Sequence, residues 1–436
     1  MRTGRFRREE RHVARYAWPA GIAAAGGAWY AADSLRHRRE TSHGYTLRGE
    51  VDVSGPSFLR AAEALTGAPV SYGNDADLLI NGDQIFPTYL GAIREAEETV
   101  NLLTYAYWRG DIAIEVADTL CAKASHGVEC NVVLDAVGAA KMDRKLVGKM
   151  RDAGVQVCFF RPPKPYAVKR LQHRTHRKLL IVDGTVGFTG GVGIAEEWTG
   201  DAEDPDHWRD THVRVRGPVV RGLQGAFAEN WLECTGDVLA GDRYLPEIDE
   251  LDDGGAMQVT RSSATIGDTN AEALVYLALA AAKETIELTS AYFVPRPAFT
   301  DALVEAAERG VKLRILVPGS HIDKEFVRTA GRAAYDELLA AGIEIHEYCP
   351  TMLHAKTLTV DGIWSSVGSV NFDNRSFQLH DEVTLCVQDE RFAGLLHEVF
   401  ERDLERSERI DPDEWSSRGP TQRARERLTK YARREL

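Results

Sequence analysis

The chain has 436 residues, 44% apolar and 27% charged, with a net charge of −13. That length and balance fit two domains or one large duplicated one, and they exclude a collagenous or low-complexity chain. Six scattered cysteines with no C-x-x-C pair give neither a zinc pattern nor a disulfide framework, and are read as reduced core thiols of a cytoplasmic compartment.

The charge is unevenly spread. Residues 1–39 carry nine arginines against three acids, and residues 418–436 carry seven basic against two acidic residues, so the body between them is more acidic than the whole. An acidic body is a poor partner for nucleic acid, whose binding relies on neutralising phosphates. Basic ends suit an anionic membrane surface. Ala17–Ala32 is uncharged and flanked by Trp18, Trp29 and Tyr30, which makes it a candidate anchor. It is shorter than the roughly 20 apolar residues of a spanning helix, and a signal peptide or a surface segment are the other readings. The placement expected is the cell membrane, peripheral or single-pass, with the catalytic body in the cytoplasm.

Residues 40–75 read as a polar, Gly-containing connector. Leu78–Ile80 is a short apolar run, and Ile85–Glu98 has helical spacing. Val100–Tyr107 reads as a buried strand. Ile112–His126 is an amphipathic helix stopped by Gly127, and Val128–Asp135 a strand. Lys141–Ala153 is a helix stopped by Gly154, and Val155–Phe160 a strand. Lys178–Val182 and Val186–Thr189 flank an Asp183-Gly184 turn.

The second half repeats this order. Helices are expected over Ala271–Lys283, Phe299–Arg309 and Phe326–Ala341, with strands over Thr285–Ala291, Val311–Val317 and Ile343–Tyr348. Thr357–Val360 and Ser365–Gly368 flank Asp361-Gly362. Paired phrases (EETVNL with KETIEL, HGVECNVVLD with RGVKLRILVP) mark an internal repeat. Strands alternating with helices predict an α/β fold: two tandem lobes, each a mixed sheet flanked by helices. The boundaries expected are a basic segment 1–39, a connector 40–75, lobes at 76–248 and 256–405, and a basic tail 406–436.

The chemistry lies in two octets. His176-x-Lys178-x-x-x-x-Asp183 and His354-x-Lys356-x-x-x-x-Asp361 are separated by 178 residues at every matched position. In a strand, residues i and i+2 share a face, so each histidine stands beside its lysine. Imidazole is a nucleophile or proton carrier near neutral pH, and an adjacent ammonium stabilises phosphoryl oxygens. Asp183 sits at the turn and is better placed to brace it, or Lys178, than to touch substrate. One octet alone reads as a surface pair; two point to covalent chemistry on a phosphate.

These residues resemble the phospholipase D superfamily, whose mark is a duplicated H-x-K-x-x-x-x-D. The resemblance spans about residues 76–405 and is strongest to the bacterial cardiolipin synthase branch, through INGDQIFPTYLGAI, YAYWRGDIA, RTHRKLLIVDG, HWRDTHVRVRGP and GSVNFDNRSFQLHDE. It implies pseudo-symmetric lobes with the active site between them. It implies a phosphohistidine formed by one histidine, the other acting as acid and base, in the usual order His176 then His354. Lys178, Lys356 and Asn371 would hold phosphoryl oxygens, helped by Ser369. Asp210 and Glu382, each downstream of a motif histidine (His176 and His354 respectively), would orient the rings. The substrate implied is phosphatidylglycerol, joined in pairs to cardiolipin with release of glycerol; hydrolysis, transfer to another alcohol, or nuclease action are the alternatives. No cofactor and no metal are implied. One departure stands out: Gly193 occupies the position matched by Asn371 in the second copy. Trp208 and Tyr292 are candidates to line a substrate path, and His173, His207, His212, His321 and His380 read as supporting.

Overall fold

Eight strands build the first half of the molecule: β1 (Val70–Ile80), β2 (Thr99–Thr104), β3 (Glu129–Asp135), β4 (Gln156–Phe160), β5 (Arg174–Thr175), β6 (Leu179–Val182), β7 (Val186–Gly190) and β8 (Thr211–Arg216). Eight more build the second: β9 (Gly255–Ser262), β10 (Thr285–Ser290), β11 (Lys312–Pro318), β12 (Glu344–Tyr348), β13 (Lys356–Val360), β14 (Trp364–Gly368), β15 (His380–Gln388) and β16 (Ser407–Arg409). The computed structural model describes residues 45–163, 172–263 and 270–419. The candidate anchor Ala17–Ala32 and the basic residues beyond 419 lie outside the described residues. Among those described, no helix is long and apolar enough to cross a membrane.

The strand order is a palindrome. One half reads β4-β3-β2-β6-β7-β8-β1 and the other β12-β11-β10-β13-β14-β15-β9, fused by antiparallel pairing of β1 with β9. In each half the first three strands are parallel and the rest antiparallel. Parallel strands need crossover helices and covered faces. All six residues of β2 are accordingly buried, and the helices Asp111–Ser125 and Pro297–Glu308 make equivalent crossovers. Gly127 and Gly310 follow them at φ 92° and 94°, the left-handed conformation that ends a helix at no steric cost.

The halves share a core. Leu179, Ile181, Val213 and Val215 from the first pack with Val259, Val367, Val383 and Leu385 from the second. The helix Val220–Thr235, which the sequence reading did not foresee, drives Leu223, Phe227 and Trp231 into the same cluster. The expected connector also departs from plan: Pro56–Thr66 is a helix whose Phe58, Leu59 and Ala62 bury against the second half, although they precede the first. The single helix expected over Phe326–Ala341 is two, Glu325–Arg332 and Tyr335–Ala340. Near the break, Gly331 packs directly on the Phe293 carbonyl, where a Cβ would not fit. The expected basic tail from residue 406 opens with β16 and the helix Pro412–Ser417.

The cysteine reading is corrected. Cys158 on β4 and Cys234 in the last turn of Val220–Thr235 form a disulfide across 76 residues, with Cα atoms 6.3 Å apart; Cys121, Cys130, Cys349 and Cys386 are free. Spacing along the chain gives no hint of a pair made by the fold. Closing a loop of that length stabilises by about 4 kcal/mol in the chain-entropy model. Cys158→Ser should therefore lower the denaturation midpoint without reductant, and dithiothreitol should bring the wild type down to match it. Equal midpoints for variant and wild type without reductant would show that the bridge contributes nothing.

Candidate active site

Each motif histidine is strung onto the opposite half. β5, just before His176, pairs in parallel with the first residues of β15, and the His176 amide donates to the Asp381 carbonyl at 2.8 Å. Reciprocally, Leu353 bridges to Arg209, and the His354 amide donates to the Arg209 carbonyl at 2.7 Å. These exchanges place both imidazoles, 7% and 5% exposed, inside the joint between the halves.

The carboxylates follow the same crossing. His176 Nδ1 lies 3.0 Å from Glu382 Oε1, and His354 Nδ1 lies 2.8 Å from Asp210 Oδ2. The expected pairing within each half, Asp210 with His176 and Glu382 with His354, is thus replaced by its exchange. An ionised carboxylate only accepts, so each Nδ1 carries the proton and Nε2 is the basic nitrogen. Burial holds the His176 ring well below the usual histidine range, against the pull of Glu382. Burial does the same at His354, reinforced by the charges of Lys356 and Lys178. Burial also pushes the Glu382 carboxyl up, but the His176 and His380 rings together more than offset it, and the group stays below the usual range. Asp210 is raised by burial, opposed by the Lys356 charge and by hydrogen bonds from Thr211 and Trp198.

The two carboxylates are braced differently. Ser369 donates its hydroxyl to Glu382, and the Val383 amide donates to Ser369 Oγ at 3.1 Å. In the first half the matching residue is Gly191, packed so closely on Asp210 that a Cβ would overlap the carboxylate. There the Trp198 indole donates to Asp210 Oδ2 at 2.9 Å. A Cβ at Gly193 would meet Ala106 Cβ at 2.8 Å and the Trp198 ring at 3.0 Å, so both side chains crowd the position that Asn371 holds in the second copy. Asn371 keeps its place, buried, its Oδ1 without a partner among the described residues.

Both lysines are buried. Lys178 Nζ donates to the His176 carbonyl at 2.7 Å, and Lys356 Nζ donates to the His354 carbonyl and lies 3.1 Å from His354 Nε2. Burial, then the neighbouring Lys356 charge, bring Lys178 down to about 7. Burial brings Lys356 down to about 8, partly countered by Asp210 and Glu382. Two crowded ammoniums in a dry site are what an incoming phosphodiester would relieve.

Asp183 and Asp361, expected among the catalytic set, belong to the scaffold. Asp183 accepts from the amides of Glu97, Glu98 and Thr99 at 2.8–2.9 Å, and Asp361 from those of Lys283, Glu284 and Thr285 at the same distances. Each closes its hairpin and fixes the entry of β2 or β10. A run of extended chain, five residue steps long, separates each from its lysine by about 16 Å, and neither carboxylate braces its motif lysine.

Three residues, two of them inside the quoted phrases, acquire roles only in three dimensions. Arg177, 1% exposed, donates to the carbonyls of Ala226, Ser262 and Glu382, stapling both halves behind His176. Arg209 makes a two-pronged contact with Asp403 at 3.0 and 2.8 Å. Trp198 is the third. Trp208 and Tyr292 do border the site, 5.6 and 6.3 Å from the His354 ring, while Tyr105 and His380 border His176 at 5.3 and 5.4 Å. His176, His380 and Glu382 bring ligand atoms within 4.8 Å of one another, the geometry of a metal group. A metal there would take the carboxylate that already orients His176.

The "Cardiolipin synthase, PLD-like domain" family model matches residues 89–203 and 276–404. The chain is 34% identical over 357 residues to a cardiolipin synthase of Alkalihalophilus pseudofirmus, covering 81% of this chain and 71% of that one. It is 34% identical over 364 residues to that of Halalkalibacterium halodurans, covering 83% and 72%. The crystal structure of phosphatidylserine synthase from Haemophilus influenzae superposes with a TM-score of 0.65 at 12% identity, over 86% of this chain and 99% of that one, a likeness of fold. With both motif hairpins inside the matched segments and about a third of the residues identical to these relatives, the chain belongs to the cardiolipin synthase family with a phospholipase D-like domain.

Proposed function

We propose that this protein joins two phosphatidylglycerol molecules into cardiolipin and releases glycerol, working at a membrane surface through a phosphohistidine. The observation that carries this reading is the pair of buried histidines, each oriented by the opposite half's carboxylate and each beside a buried lysine. His176 Nε2 attacks phosphorus, the bond to the glycerol oxygen breaks, and His354 supplies the proton. The hydroxyl of a second lipid then gives its proton to His354 and attacks phosphorus, and the bond to His176 breaks. The diester's negative charge offsets the two ammoniums, which raises the His354 ring toward the protonated form that the first step needs. Lys178, Lys356 and the amide of Asn371 hold the phosphoryl oxygens. These groups supply the charge stabilisation, so the reaction needs no metal. Burial around the histidines favours an alcohol carried by a lipid over water. The disulfide removes the premise for a cytoplasmic body and favours an oxidising face of the membrane.

Mass spectrometry of phosphatidylglycerol vesicles incubated with the protein tests the reading. Cardiolipin plus free glycerol is expected; phosphatidic acid alone would favour the hydrolase alternative. His176→Asn and His354→Asn should each abolish turnover, and substantial residual activity in either variant contradicts a two-histidine reaction.

The crossed carboxylates give a finer test. With an activated leaving group such as p-nitrophenol, the first step no longer needs an acid. Asp210→Asn should then recover most of its lost burst rate, whereas Glu382→Gln, which disturbs the nucleophile, should not. Recovery in both or in neither would refute the assignment.

Phosphate binding needs both lysines protonated. As pH rises through about 7 and about 8 the ammonium forms are lost, so kcat/KM should fall on that alkaline limb. The limb belongs to the coupled pair rather than to one residue. A profile flat to pH 10 would mean that the lysines are not the titrating groups.

A further inference from the structure

Outside the two motifs, the halves present a second matched pair of lysines. Lys141 lies six residues beyond Asp135 at the end of β3, and Lys324 six residues beyond Pro318 at the end of the equivalent β11. Each ammonium stands over an aromatic ring: Lys141 is 3.9 Å from the Trp108 ring centre and Lys324 4.5 Å from that of Tyr292. Each ring is tied to the loop that carries its lysine. Trp108 donates to the Gly138 carbonyl and Tyr292 to Asp323 Oδ1, both at 2.8 Å. Both lysines are exposed, and among the described residues neither ammonium has a hydrogen-bond or ion-pair partner. They differ in what lies beneath. Tyr292 meets the His354 ring directly, whereas Trp108 is separated from it by Trp198 and Trp208. The Lys324 charge is accordingly felt at His354, Lys178 and Lys356.

A phospholipid acceptor differs from water or glycerol in one respect that this geometry addresses. Three carbons from its attacking hydroxyl it carries a second phosphodiester, which does not react. While the hydroxyl sits at His354, the motif lysines are engaged by the phosphohistidine, so the second phosphate needs another cation one short bridge away. Resting on the proposed reaction, we infer that Lys324 binds the non-reacting phosphate of the acceptor phospholipid, on the Tyr292 side of His354, and so selects a lipid alcohol over water and glycerol. No bond to that phosphate changes: the acceptor hydroxyl oxygen bonds to phosphorus, the bond from phosphorus to His176 breaks, and the hydroxyl proton passes to His354. The Asp323 carboxylate, held by the Tyr292 hydroxyl, keeps the ring under the ammonium.

The experiment uses the full chain on phosphatidylglycerol vesicles with labelled glycerol present, and follows two products of one phosphohistidine. Cardiolipin reports a phospholipid acceptor, and label entering phosphatidylglycerol reports glycerol. In Lys324→Ala the ratio of cardiolipin to exchange should fall about tenfold, the loss of one charge-assisted contact, mainly through KM for the acceptor. Lys324→Arg should restore most of it, and Lys141→Ala should change the ratio much less. The exchange product itself shows that the variant is folded. An unchanged ratio, an equal fall of both products, or an equal effect of Lys141→Ala would overturn the inference. A wild type that exchanges glycerol but makes no cardiolipin would instead refute the parent reading.

Discussion

A neutral imidazole buried beside two ammoniums needs a carboxylate to fix its tautomer, and in this protein the carboxylate comes from the other half of the chain. Glu382 reaches back to His176 and Asp210 reaches forward to His354. Most of the architecture serves this exchange. The β1–β9 seam brings the sheets edge to edge, β5 docks on β15, and Arg177 and Arg209 anchor the crossing segments to the Val220–Thr235 and Glu390–Leu404 helices. Each arginine is itself buried and satisfied, since breaking a buried ion pair costs several kcal/mol.

The alternating elements, the duplication and the motif histidines and lysines were legible because they are local. Periodicity gives helices and strands, and an interval repeated without error gives a repeat. What the sequence hid are relations between distant segments. Asp210 and Glu382 were found, but chain order assigns each to the wrong ring, because nothing in a linear spacing reveals that strands cross between lobes. The Cys158–Cys234 bridge and the docking of Pro56–Thr66 on the far half were invisible for the same reason. The motif aspartates show the converse. Asp183 and Asp361 are as regular as the histidines, yet regularity there reflects three amide hydrogen bonds that close a hairpin.

The two copies are not equal. Ser369 and Asn371 have glycine counterparts, and Trp198 packs beside the second of these, bonding to Asp210 and lying 5.3 Å from the His354 ring. An amide side chain in one copy is answered by an aromatic wall around one histidine in the other. The indoles of Trp198 and Trp208 border His354, whereas His176 sits beside Tyr105 and the polar ring of His380. A reaction in which one ring bonds to phosphorus and the other only moves a proton has use for such a difference.

The reciprocal loan of carboxylates has a consequence for how such a molecule could arise. A single unduplicated copy would hold neither ring correctly and would work only as a pair, with its output falling as the square of dilution. Covalent tethering replaces that encounter with a high effective concentration. It also releases the copies from having to be identical, so that a tryptophan can be placed in one without appearing, symmetrically and fatally, in the other.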